Sequence, residues 1–218
     1  AGQARLPNSD SAIGLYRDGA FIAGGNLGGR AFQRFDMFDT ERVEVLRGPQ
    51  GALYGRNAVG GAINAISQKP LFENTGSVSL SYGDYETVGV QGIYNQIITD
   101  TLAFRAGVDY SNQDGCIYTR SDTGGCYDYL TYTGVRGAVT WAPSDVFDVT
   151  FIADYADALN DSGGATLQRT GNLPIDVIQI NGVNEVTVDQ SSFSLLASYD
   201  LGWAELVSTS NYRRRNSS

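Results

Sequence analysis

The sequence predicts a mainly β chain in two parts: a compact glycine-rich element, then about seven antiparallel strands of an incomplete transmembrane β-barrel. Three observations predict it. Glycines crowd positions 48 to 61 between two short apolar strands. Beyond Asn74, apolar and polar residues alternate in long period-two runs. The apolar side of these runs tends to end in an aromatic ring.

Residues 1–10 carry no periodic signal, and with no initiator Met, charged leader or apolar leader core the start reads as a cut edge. From Ser11, SAIGLYRDGAFIAG alternates about Asp18-Gly19, which predicts a small hairpin. Asn26 to Arg30 (NLGGR) reads as a glycine loop, and Ala31 to Asp39 as a short helix leading into a strand at Arg42 to Leu46. A glycine-rich turn and a second apolar strand, Gly61 to Ser67, follow. Glycines 48, 51, 55, 60 and 61 suit positive φ or close backbone approach, so a rigid, closely packed element is expected. Pro70 to Asn74 reads as a linker.

Of the seven strands, the first sets Val78, Leu80 and Tyr82 against Ser77, Ser79 and Ser81. The second sets Val88, Val90 and Tyr94 against Thr87, Gln91 and Asn95, and the third Leu102, Phe104, Ala106, Val108 and Tyr110 against Arg105, Asp109 and Ser111. Val135, Val139 and Trp141 oppose Tyr132, Arg136 and Thr140 in the fourth; Phe147, Val149, Phe151, Ala153 and Tyr155 oppose Asp148, Thr150 and Asp154 in the fifth. Phe193, Leu195, Ala197 and Tyr199 oppose Ser192, Ser194 and Ser198 in the sixth. The seventh, Ala204 to Tyr212, alternates too poorly to assign faces.

A soluble sandwich would alternate as well. The connections favour a membrane barrel: tight turns at Thr99 to Thr101, Pro143 to Asp145 and Asp200 to Gly202, against long stretches at Gln113 to Asp128 and Ala158 to Gln190. So do the rings, with Tyr82, Tyr110, Tyr155 and Tyr212 at one level and Tyr94, Trp141 and Tyr199 at the other. An arginine facing lipid near the midplane costs roughly 2–4 kcal/mol. Arg105, Asp109, Arg136, Asp148 and Asp154 are therefore expected to face inward. Asn181-Gly182 predicts a hairpin within the second long connection, either a recognition ribbon or an extension of the barrel strands.

Composition removes several functions. A net charge of −9 and a pI near 4.4 argue against a nucleic-acid partner. Without histidine no Ser-His-Asp or Cys-His site can be built, and Asp154 and Asp157 read as lumen or rim charges rather than acid and base. The glycine-rich turn lacks both Gly-Lys-Ser/Thr and G-x-G-x-x-G opening a helix, so Arg47 and Arg56 read as buried ion-pair anchors rather than phosphate ligands. Cys116 and Cys126 are too few for zinc; they form a loop disulfide in an oxidising compartment or stay free thiols. No cofactor, metal or catalytic residue is expected.

The stretch ERVEVLRGPQGALYGRNAVGGAINAISQKP, Glu41 to Pro70, resembles the C-terminal half of the plug of TonB-dependent outer-membrane receptors. Arg42, Glu44, Arg47, Gly48, Pro49, Gly51, Tyr54, Gly55, Asn57, Gly60, Gly61, Ile63 and Asn64 carry the resemblance. It implies a plug portion over residues 1–70 and the first third of a 22-stranded barrel over residues 71–218. It also implies the outer membrane of a Gram-negative bacterium, and import of a scarce ligand such as a ferric siderophore, a corrinoid or a carbohydrate. Membrane lipid, a small-molecule ligand and the inner-membrane TonB complex would be the partners, the segment TonB grips having no counterpart here. Asn26, Arg30 and Arg34 are ligand candidates on the plug's apical loops, or ordinary solvated residues. A passive porin or adhesin barrel and a secreted β-sandwich are the competing classes.

Overall fold

Two β-sheets of opposite character meet in the computed structural model, whose description covers residues 13–22, 38–55, 58–113, 118–120, 126–127, 130–160, 177–178 and 186–217. The first holds β1 (Ile13–Arg17), β2 (Ala20–Phe21), β3 (Thr40–Arg47) and β4 (Gly61–Ser67) in the order β2-β1-β4-β3. Asp18-Gly19 makes the expected hairpin, pairing Tyr16 with Phe21. The period-two pattern does not reveal that β1 runs parallel to β4, Ile13 opposite Gly61 through Arg17 opposite Ala65. Ala62 and Ala65 of β4 are fully buried, while Val43 and Val45 on the edge strand β3 are exposed.

Between β3 and β4 the chain makes one helical turn, α1 (Gly51–Tyr54), which sequence periodicity is too short to reveal. Its bonds are local: Gln50 N–H to Ala58 O at 2.7 Å, Tyr54 N–H to Gln50 O at 2.9 Å and Gly55 N–H to Gly51 O at 3.0 Å. Gly48, Gly55 and Gly61 have positive φ as expected; Gly51 and Gly60 do not. At Gly61 a Cβ would lie 2.6 Å from the Leu46 carbonyl oxygen, so the β3–β4 pairing itself demands glycine. The expectation of a closely packed turn is corrected. Val59 is 72% exposed, and Pro49, Gly51, Gly55 and Gly60 are exposed too. The backbone bonds hold the turn's shape, and no described element covers its outer side. Arg47 is likewise exposed and makes no ion pair among the described residues, contrary to its reading as a buried anchor. Arg56 and Asn57 lie outside those residues.

The second part contains β5 (Thr75–Gly83), β6 (Thr87–Thr99), β7 (Leu102–Gln113), β8 (Tyr118–Arg120), β9 (Cys126–Tyr127), β10 (Leu130–Ser144), β11 (Phe147–Asn160), β12 (Val177–Ile178), β13 (Val186–Asp200) and β14 (Glu205–Ser217). Seven of these form one antiparallel meander, β5-β6-β7-β10-β11-β13-β14, joined by the three tight turns the sequence predicts. The sheet does not close, so β5 and β14 are open edges. No helix among the described residues is long and apolar enough to cross a membrane; strands of 12 to 15 residues such as β7, β10 and β13 are long enough for it.

The faces fall as the alternation predicts. All seven ring-bearing positions at the strand ends are exposed, from Tyr110 at 41% to Tyr82 at 80%. Arg105, Asp109, Arg136, Thr140 and Thr150 are buried on the other side. Register settles β14: Tyr212 stands opposite the outward Phe193, and Arg213 opposite the inward Ser192. Its pattern is faint because the outward row also holds Ser208, Ser210 and Arg214.

The two long connections are tied together by a three-stranded sheet, β12-β8-β9, in which Val177 pairs in parallel with Thr119. Asn181, Gly182, Cys116, and the ligand candidates Asn26, Arg30 and Arg34 lie outside the described residues, as does most of the helix expected at 31–39.

Candidate functional site

The site is the contact between the small sheet and the inner face of the large one. Arg105 and Arg136 sit on β7 and β10 at positions that would face lipid after a one-residue shift, so the alternation itself aims them inward. They meet the turn Phe38-Asp39, just ahead of β3. Arg105 Nε lies 3.0 and 2.9 Å from the two carboxylate oxygens of Asp39, and its Nη2 lies 2.5 Å from Oδ1. Asp39 is buried and Arg105 is 9% exposed, so the pair is shielded from solvent. Arg136 donates from Nη1 to the carbonyl oxygens of Phe38 (3.0 Å) and Asp39 (2.8 Å), and from Nε to Asp154 (2.5 Å). The Phe38 ring fits over Gly107, where a Cβ would come within 2.6 Å of the ring edge.

Within the small sheet the hairpin is bonded to β4. Arg17 donates to Ser67 Oγ at 3.0 Å and to the Phe38 carbonyl at 3.1 Å. Ser67 donates from its N–H and its hydroxyl to the two oxygens of Asp18, both at 2.7 Å, and Gly19 N–H donates to Asn64 Oδ1 at 3.1 Å. Tyr16 is 2% exposed; its hydroxyl donates to the Tyr54 carbonyl at 2.8 Å, and its ring stacks edge-on at 4.6 Å against that of Tyr54. Burial, reinforced by Tyr54, pushes the Tyr16 phenol above its ordinary range.

The linker is sewn to the wall. Fully buried Asn95 on β6 accepts from Leu71 N–H at 2.9 Å and donates to the carbonyls of Leu71 (2.7 Å) and Glu73 (2.6 Å). Lys69 reaches Asp148 at 3.1 Å, and Asp148 also accepts from the Ser198 hydroxyl. The arrangement contains positioning and electrostatics, with no nucleophile and base brought together.

Sequence periodicity brings Arg105, Arg136 and Asp154 to this contact. It misses Phe38, Asp39, Gly107 and Asn95. The available signal was that two inward arginines on lipid-facing strands need acidic partners.

Residues 6–62 match the family model described as the TonB-dependent receptor plug domain. The chain is 43% identical to the catecholate siderophore receptor Fiu of Escherichia coli K12 over 74 residues, covering 34% of this chain and 10% of that one. The chain belongs to the TonB-dependent receptors. It is also 25% identical over 181 residues to the vitamin B12 transporter BtuB of Vibrio vulnificus, covering 82% of this chain and 30% of the other. The crystal structure of the open form of Fiu from E. coli superposes with a TM-score of 0.74 at 21% identity, over 97% of this chain and 33% of that chain, which shows a shared fold. The chain thus spans a third or less of the relatives it matches. In a TonB-dependent receptor the Phe38-Asp39 turn is a plug turn and β7 and β10 are barrel wall, and their setting is the outer membrane of a Gram-negative bacterium.

Proposed function

We propose that the receptor to which this chain belongs imports a scarce ligand across the outer membrane, a ferric siderophore in the first instance, driven by the TonB complex. The observation that carries the reading is a sheet seated inside a membrane wall by polar bonds: Asp39 on Arg105, and two plug carbonyls on Arg136. Polar and ionic contacts of this kind can be exchanged for water when the plug moves, whereas a dry apolar seat would not be. The names of the relatives support iron chelates first, through Fiu and the ferrichrome transporter of E. coli K12, and a corrinoid second, through BtuB. A carbohydrate ligand has no relative behind it here. In this reading residues 1–70 form the C-terminal part of the plug, residues 71–218 the first barrel strands, and Asn26, Arg30 and Arg34 face the ligand. TonB, outer-membrane lipid and the small ligand are the partners, and no covalent step is required.

The test is uptake by the full-length receptor in a strain deleted for its own siderophore receptors. Growth on iron chelates that requires both the receptor and TonB is expected. Ligand-free conductance with no TonB requirement would overturn the reading.

A further inference from the structure

A crevice of about 20 Å³ lies between the plug hairpin and the wall, lined by Arg17, Arg136, Asp154, Gln190, Ser192 and Arg213. Its guanidinium groups outnumber its carboxylates three to one. Arg17 is engaged with Ser67 and Phe38. Both oxygens of Asp154 are already occupied, Oδ1 by Arg136 and Oδ2 by the Ser192 hydroxyl at 3.1 Å. Two buried donors are left without an acceptor: Nη2 of Arg136, whose side chain is 1% exposed, and Nε of Arg213. Asp18, the other acid near Arg213, holds Ser67.

Guanidinium groups stay protonated in proteins, so the crevice cannot be neutralised by losing a proton. A buried charge without a counter-charge costs several kcal/mol. Water would accept the two hydrogen bonds but leave the charge in place, and a cavity of this size takes one water-sized body. A carboxylate or phosphate is too large for it. A monatomic anion supplies both the acceptor and the charge.

We propose that this crevice binds a single halide ion, chloride in the cell, which bridges the plug hairpin at Arg17 to the wall at Arg136 and Arg213. The ion completes the seat that Asp39 begins: one anchor carries its acid on the plug, and the other takes its negative charge from solution. The proposal is independent of which ligand the receptor imports.

The probe is bromide, in crystals of the full-length receptor. An anomalous peak within hydrogen-bonding reach of Arg136 Nη2 and Arg213 Nε is expected, lost in Arg213→Met. In solution, replacing chloride by gluconate at constant ionic strength lowers the Tm of the unmodified receptor and leaves that of Arg213→Met unchanged. Water without anomalous signal in the unmodified receptor overturns the proposal whether or not the variant folds, and so does an equal Tm shift in both proteins.

Discussion

Asp39 holds Arg105 with both carboxylate oxygens across 66 residues of sequence, and the pair is the one buried ion pair between plug turn and wall among the described residues. Removing one partner strands the other. Asp39→Ala is expected to loosen plug docking by about 3–5 kcal/mol, and the double change Asp39→Leu with Arg105→Met to recover most of it. Hydrogen exchange of β3 and β4 in the full-length receptor measures both.

Gly107 admits the Phe38 ring to the wall. Gly107→Leu fills that space and costs about 1–3 kcal/mol of plug docking by overpacking. Adding Phe38→Ala relieves it. Protease sensitivity of the plug, set beside an unchanged heat-modifiable gel shift of the barrel, reads the difference.

Phe151 is 45% exposed on the outward face of β11. Phe151→Arg is expected to lower barrel stability by roughly 2–4 kcal/mol in urea unfolding from bilayers, because the charge then faces hydrocarbon. Exchange of the inward Thr150 for valine leaves lipid contacts untouched and changes little in the same assay.

Gly55 has φ 73° and ψ −143°, a region closed to residues with a Cβ. Gly83 ends β5 without positive φ, and a Cβ there would sit 3.9 Å from Thr87 Cβ. Gly55→Val is expected to cost about 1–3 kcal/mol through backbone strain alone, and Gly83→Val to be tolerated. Equal folding yields of the two full-length variants would refute this.

The Tyr16 phenol is raised by burial, so its neutral form is favoured in the folded plug. Its contribution to stability is complete below the ordinary tyrosine range and is lost as pH climbs from there through the raised value. Alkaline melting of the plug should be less steep in Tyr16→Phe, which has no proton to lose.

The wall was legible because lipid imposes the pattern: every second residue of β7, β10 and β11 must be apolar, and Arg105, Arg136 and Asp154 stand out as the exceptions. The plug was legible only through local turn chemistry, at Asp18-Gly19 and in the glycines that precede β4. The parallel pairing of β1 with β4 depends on contacts 48 residues apart, which no short window records. Asp39 escaped because nothing local distinguishes an acid that will meet an arginine 66 residues later from an acid that meets water. Arg47 misled for the converse reason: a charge beside a glycine turn has the same sequence whether covered or open.

Asn95 takes up three backbone groups of the linker at the very point where the wall begins. The plug therefore hangs from its own last residues like a pendant on a short chain. Freed from Arg105 and Arg136 it would swing or unravel without drifting off, and it could find its seat again in a single, concentration-independent step.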